Sequence, residues 1–282
     1  MSSGTLYIVA TPVGNLEDVT IRALEVLRNA DLIACEDTRK SRVLLQRFRI
    51  TTALVSLHKF SESRKVGLIL ERLAAGQTVA LISDAGTPAI SDPGDRLVKA
   101  ARDAGVPVLP VPGPSSITAA LSVSGMDCSS FVYLGYAPRK DEQRREFFTQ
   151  IVNEKRTSVF FETPHRIRDL VKIAADMLGS RRITLFRELT KLHEEAISGT
   201  ASEIHAELSA RESVKGEIVF VVEGASRVEP EIGLEEAVKS LAEEGLTGKR
   251  LAAEAQARFG FKKHEAYEMF LRIKKGCADT DK

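Results

Sequence analysis

Short β-branched runs alternate with amphipathic stretches along most of this chain, and that rhythm leaves few folds open. "TLYIVA" (5–10), "DLIAC" (31–35), "TALVSL" (52–57), "TVALIS" (78–83) and "VPVLPV" (106–111) each read as a strand. Helical patterns fill the gaps at about 17–29, 38–49, 61–75 and 92–104. Strands that take turns with helices predict a mostly parallel sheet with helices on its faces. "PGPSSITAALSVSG" (112–125) then opens a helix, with Pro114 near its first turn and the serines as cap candidates. A second series follows: "FVYLGY" (131–136), a helix at 141–153, "TSVFFE" (157–162), a helix at 164–178, "RITLFREL" (182–189), a helix at 201–211 and "GEIVFVVEG" (216–224). Several of these strands lie too close in sequence for a long crossover, so the second sheet is expected to be mixed. The chain reads as two α/β domains, 1–113 and 114–226.

After Gly224 the texture changes. "SRVEPEIG" (226–233) is a polar linker containing proline, and three short helical patterns follow at 234–244, 247–258 and 262–275. Thr247 is expected to cap the middle helix and Gly260 to stop it. From Leu246 to Lys275, eight Lys/Arg stand against three Glu. This small all-helical unit, 233–276, is therefore basic and resembles a helix-turn-helix. A nucleic-acid contact and a packing or dimerisation appendage with a solvated basic face fit it equally well.

Composition narrows function by exclusion. At 282 residues and 43% hydrophobic, the chain can bury a full core. Its net charge of +1 advertises no global field, so a nucleic-acid partner must be met by local patches. Cys35, Cys128 and Cys277 show no paired spacing, which argues for a reducing compartment and against both a disulfide framework and a zinc cluster. No run reaches the roughly 18 apolar residues of a membrane span, and the first residues lack the basic start of a signal peptide. A cytoplasmic protein without metal or membrane contact is expected.

In open α/β sheets, ligands bind beyond the carboxyl ends of strands. Three loops leave such ends here. "ATPVGNLEDVT" (10–20) lacks both G-x-G-x-x-G and G-K-[ST], which excludes a Rossmann dinucleotide site and a P-loop. "SDAGTPAISDPG" (83–94) is rich in turn formers, and "VPGPSSITA" (111–119) offers N–H groups at a helix start, suited to an anionic group. Together they predict one small-molecule pocket between the two halves. Asp84 reads as a pocket wall or as an Asx turn, and Asp92 before Pro93 fits the turn better.

"TLYIVATPVGNLEDVTIRALEVL", "ACEDTRKSRVLL", "LISDAGTPAISDPG", "VPGPSSITAAL", "GYAPRK", "FFETPHRI" and "FRELTKLHEE" occur in that order. Over about residues 4–224 this set resembles the ribosomal small-subunit methyltransferase I family, in the tetrapyrrole-methylase-like, class III group of S-adenosylmethionine enzymes. The later helices fit the C-terminal unit of many members. The resemblance implies two α/β domains with the donor cleft between them. It also implies a homodimer that 2′-O-methylates cytidine 1402 of 16S rRNA, in the decoding region of the 30S subunit. Under it Pro12, Ser83, Asp84, Gly86, Thr87, Ser116, Leu134, Glu162, Thr163 and Pro164 border S-adenosylmethionine, with Gly86 permitting close approach.

Methyl transfer from a sulfonium to a ribose hydroxyl needs positioning, a track for RNA and a proton acceptor. The track is expected in Arg39, Lys40 and Arg42 after the second strand, and in Arg139 and Lys140 after the sixth. Arg47 and Arg144 read better as solvated helix faces. Glu188, Lys191 and Arg187 concentrate the catalytic options, with Lys191 a base if desolvated, against an equal reading as a structural ion pair. Glu36, Asp37, His58, His165, His193 and Glu194 are further acceptor candidates. Basic loops also suit the carboxylates of a tetrapyrrole, so a small-molecule methyltransferase of this fold stays open. A non-catalytic RNA-binding assembly factor is the other alternative.

Overall fold

A computed structural model describes residues 4–57, 62–225, 233–259 and 261–279. Residues up to Gly224 form one compact unit and those from Ala225 a second. The first unit opens with strands β1 (Leu6–Val9), β2 (Leu32–Cys35), β3 (Leu54–Ser56), β4 (Val79–Ile82) and β5 (Val108–Val111), all parallel in the order β3-β2-β4-β1-β5. Helices α1 (Ile21–Asn29) and α2 (Thr38–Arg47) cover one face, and α3 (Glu62–Ala74) and α4 (Asp95–Asp103) the other.

Period-two geometry explains the apolar runs. Ile33, Cys35, Ala80 and Ile82 pack toward Ala23, Leu27 and Leu45, while Leu32, Ala34, Val79 and Leu81 pack toward Ile69, Leu73, Leu97 and Ala101. β2 and β4 are consequently buried at every residue, as a parallel sheet with two covered faces requires.

The second sheet follows α5 (Ser116–Val123). Its elements are β6 (Phe131–Tyr136), α6 (Asp141–Asn153), β7 (Thr157–Glu162), α7 (Ile167–Leu178), β8 (Ile183–Arg187), β9 (Glu195–Gly199), α8 (Ala201–Ala210) and β10 (Ile218–Val222). Strand order is β6-β7-β10-β8-β9, with β6 and β7 parallel and the other pairs antiparallel, so the sheet is mixed. One face buries a ring cluster in which Phe160 and Phe220 stack at 5.0 Å beside Phe147 and Phe148 of α6. The other face sets Val159, Phe186, Val219 and Val221 under Ala120 and Leu121 of α5, and Val13 packs against the same cluster.

The structure departs from the sequence reading in one strand and at several helix starts, among them α1, which begins only at Ile21 after a separate turn at Leu16–Asp18. β9 was not expected: its sequence EAISG buries only Ile197, too little alternation to announce an edge strand. α5 begins at Ser116 with Ser115 at the N-cap position, two residues after Pro114, but Ser115 makes no side-chain cap bond. α4 begins at Asp95 because Gly94, at φ +128, ends the preceding loop, and a side chain there would meet Leu81.

The second unit is three helices, α9 (Leu234–Glu243), α10 (Gly248–Phe259) and α11 (Lys263–Asp279), around Val238, Leu241, Leu251, Ala255 and Ala266. α10 follows Thr247 directly; Gly260, its expected stop, lies outside the described residues, as does most of the 226–233 linker. Among the described residues no helix is long and apolar enough to cross a membrane.

Candidate active site

The carboxyl ends of β1, β2 and β4 meet those of β7 and β8 and the start of β10. Between them lies a cleft of about 280 Å³, walled by Glu36, Asp84, Ser116, Tyr136, Glu162 and Glu217 among others. Thr163, Pro164 and Leu189 also border it. Carboxylates dominate its charged lining: Glu36, Asp84, Asp92, Glu162 and Glu217 stand against Lys40 among the described residues. No group of three His, Cys, Asp or Glu among the described residues is placed to hold a metal.

Loop 83–94 is built from within. Thr11 and Gly86 exchange backbone hydrogen bonds at 2.9 Å each, forming an isolated antiparallel bridge between this loop and the one after β1. Ser83 Oγ donates to the Ala85 carbonyl at 3.1 Å, and Thr87 Oγ1 donates to Pro114 O at 3.4 Å. Gly86 is needed for its φ of +74; its nearest neighbour to an added Cβ is Pro114 O at 4.0 Å. The backbone N–H and carbonyl of Gly86 are both engaged by Thr11. Ala89 and Ser91 also hold left-handed φ values, 67° and 64°, a strained pair tied to β6 by a 2.6 Å contact between Ser91 Oγ and Tyr133 OH.

The expected donor residues divide. Asp84, Ser116, Glu162, Thr163 and Pro164 border the main cleft, while Pro12 and Ser83 line an adjoining cavity of about 250 Å³ that shares Lys40 and Asp84. Leu134, expected as a wall, packs instead against the core under the second sheet. Asp84 is both wall and brace: it accepts the Asp37 N–H at 3.1 Å and pairs with Lys40 at 2.8 Å. That pair raises the Lys40 pKa against the opposing pull of its partial burial. Glu162 is buried and ion-paired with Arg166, and its Oε1 accepts the Thr163 N–H at 2.6 Å while Oε2 has no hydrogen-bond partner among the described residues.

The segment after β8 turns back on itself, with φ of 54° at Glu188 and 63° at Thr190. Lys191 Nζ reaches Glu188 Oε1 at 2.8 Å and Glu217 Oε2 at 3.1 Å, and the Glu217 N–H donates to Glu188 Oε1 at 3.0 Å. The Lys191 hydrogen bond holds the Glu188 carboxyl below its ordinary range. Burial pulls Lys191 down, but its two carboxylate partners outweigh that and leave it raised. Lys191 therefore stays protonated at neutral pH, which fits the structural ion pair of the two sequence readings rather than the base that a desolvated lysine would be. Asn15 N–H donates to Thr190 Oγ1 at 3.1 Å, which ties the loop after β1 to this segment. Arg187 is not on the cleft wall: it donates to Glu195 at 2.9 Å, and Glu195 also binds Arg211 at 2.6 Å.

The other acceptor candidates scatter. Asp37 caps α2, and Glu194 accepts the Thr190 N–H at 2.6 Å. His165 and His193 are exposed, and His58 lies outside the described residues. Among the basic candidates, Arg42, Arg139 and Lys140 are exposed, and Arg39, 86% exposed, grips Asp37 beside it. That hydrogen bond takes the Asp37 carboxyl down to about 2. Arg144 is a correction: it is buried, not solvated, and it braces the turn by donating to Pro138 O at 3.0 Å and Asp141 at 2.9 Å.

Tyr136, Gly216 and Glu217 line the cleft although sequence reasoning passed over them. Gly216 and Glu217 enter at the amino end of an antiparallel strand, where the strand-end rule does not look. The signal that could have found them is "KGE" directly before the apolar run of β10.

Residues 5–205 match the family described as Tetrapyrrole (Corrin/Porphyrin) Methylases. A protein of Halalkalibacterium halodurans named ribosomal RNA small subunit methyltransferase I is 44% identical over 81% of this chain and 79% of its own length. One of the same name from Escherichia coli O157:H7 is 43% identical over 96% of both chains. Among solved structures, the uroporphyrin-III C-methyltransferase of Thermus thermophilus complexed with S-adenosyl homocysteine is similar in fold. It has a TM-score of 0.57 and 21% identity over 80% of this chain and 100% of that one.

Proposed function

This chain belongs to the tetrapyrrole methylase family, within its ribosomal RNA small subunit methyltransferase I group, and from that premise we propose that it methylates the ribose 2′-hydroxyl of cytidine 1402 in 16S rRNA. It is an S-adenosylmethionine-dependent rRNA methyltransferase. It works on the 30S subunit in the cytoplasm, as a homodimer, and without a metal.

One observation carries the assignment of the site: the cleft at the strand ends is lined by carboxylates, the donor set that suits a ligand bearing a sulfonium and an ammonium group. S-adenosylmethionine bound there supplies an electrophilic methyl group. Asp84, Ser116 and the Glu162–Pro164 turn hold the ligand from both sheets, and Pro12, Ser83, Gly86 and Thr87 keep the loops around it in place. Leu134 supports the wall from the core. Rigid loops matter because an in-line displacement draws much of its rate from fixed geometry.

Glu217 is the carboxylate placed to take the hydroxyl proton. It stands on the cleft wall with its side chain 69% exposed, anchored by Lys191. Glu188 and Lys191 orient it, and Arg187 fixes the base of the same loop through Glu195. Arg39, Arg42, Arg139 and Lys140 take RNA phosphates, with Lys40 at the boundary between track and cleft.

Tritium transfer from methyl-labelled S-adenosylmethionine tests the reading, with unmodified 30S subunits, naked 16S rRNA and uroporphyrinogen III offered in parallel. Label in RNA alone, strongest with 30S, is expected. Label in the tetrapyrrole, or none despite bound S-adenosylhomocysteine, overturns it.

A further inference from the structure

The helical unit carries a face that its own fold does not use. The core side of α11 presents Ala266, Phe270 and Ile273 to the other two helices. Beside it, Lys263, Tyr267, Leu271 and Lys274 recur at spacings of four, four and three, which stacks them on one flank of the helix. Tyr267 is 38% and Leu271 41% exposed, and both lysines are exposed.

Charge on the unit is less diffuse than its composition suggests. Arg258 is held by Glu244 at 2.8 Å and Glu254 at 3.0 Å, and Lys262 by Glu265 at 3.2 Å. Lys263 and Lys274 make no ion pair among the described residues, and neither Glu265 nor Glu268 falls on their stripe. The result is a strip about 16 Å long, at 1.5 Å of rise per residue, on which no acid of α11 falls among the described residues, with a cation near each end and an aromatic ring between them.

We infer that this strip is an RNA-docking surface for an unpaired segment of the rRNA substrate, with Lys263 and Lys274 on phosphates and Tyr267 stacked on an exposed base. The inference rests on the rRNA methyltransferase reading. Phosphate charge selects an anionic polymer, and a half-exposed tyrosine between lysines suits a base that has left its stack. A duplex offers no such base face. Lys249, Arg250 and Arg272 are also exposed on this helical unit.

The test is filter binding of full-length protein to unmodified 30S subunits and to naked 16S rRNA across a series of KCl concentrations. Lys263→Gln with Lys274→Gln should flatten the slope of log K against log salt by about 1.4, at about 0.7 per lost contact on single strands. Tyr267→Ala should weaken binding by about 5- to 150-fold with the slope unchanged. Melting temperature and S-adenosylhomocysteine affinity should stay at wild-type values, which separates docking from folding. Binding within twofold of wild type in both variants, or a slope that changes by less than about 0.5 in the double lysine variant, overturns the inference, as does a change of oligomeric mass in either variant, which would make the strip a contact between copies. Methyl transfer by the wild-type protein is scored separately, so loss of the enzyme reading is told apart from loss of the docking surface.

Discussion

Replacing Gly216 with alanine should damage both the fold and the site, and the structure sets the size of the effect. Gly216 sits at φ +96, where an L side chain is strained, and an added Cβ would land on the Glu188 carboxylate. Backbone strain of this kind costs about 1–3 kcal/mol. Displacing Glu188 also breaks its 2.8 Å bond from Lys191 and its 3.0 Å bond from the Glu217 N–H. Losing hydrogen bonds to a charged group costs about 1.5–3 kcal/mol, for a combined loss of roughly 2.5–6 kcal/mol. In a unit of this size that lowers the melting temperature by roughly 5–24 °C. Glu188→Gln keeps the shape and loses only charge, so it should cost less than half as much. Differential scanning calorimetry on the two variants reads the order directly. A Gly216→Ala protein that melts within 2–3 °C of wild type, or no lower than Glu188→Gln, would refute the steric argument.

Three further substitutions probe the rest of the account. Glu217→Gln should lower kcat by about 100-fold or more while leaving S-adenosylhomocysteine affinity unchanged in calorimetry, the range for loss of a positioned proton acceptor; a kcat within threefold removes it from that role. Arg39→Ala, at an exposed pair, should weaken 30S binding and leave melting temperature and donor affinity as they are; a large loss of donor binding would move Arg39 out of the RNA track. Glu195 has its carboxyl lowered to about 2 by Arg211, aided by Arg187. Its contribution is complete above the ordinary value of 4.5 and is lost as pH falls through about 2. Linkage bounds it at about 3 kcal/mol, reduced by solvent to about 1–2 kcal/mol. The gap in melting temperature between wild type and Glu195→Gln should therefore shrink from pH 6 to pH 3, and a constant gap would contradict the assignment.

Elements buried on both faces were legible in the sequence. β2, β4 and β10 are continuous apolar runs, and the helices between them carry one clear apolar stripe. β9 was not legible, because an edge strand with one buried residue leaves no period to read. The loops of the site were legible in position, since parallel strands deliver their carboxyl ends to one edge. Their chemistry was less so. Which polar atoms of Gly86 and Thr87 the protein uses for itself depends on contacts 27 to 75 residues away in sequence. Arg144 misled although its partners are close in sequence: a cation in a charged run reads as solvated until a carbonyl and a carboxylate, six and three residues away, close on it. Lys191 could be assigned a protonation state only once both of its carboxylate neighbours were in place.

The most direct measurement is the identity of the methylated nucleoside. Unmodified 30S subunits are treated with the protein and methyl-labelled S-adenosylmethionine, and the 16S rRNA is digested and analysed by mass spectrometry with fragment mapping. The account predicts one 2′-O-methylcytidine per subunit, at position 1402 of the decoding region. A methyl group on a base, at another position, or on no nucleoside at all while the protein binds S-adenosylhomocysteine would contradict it.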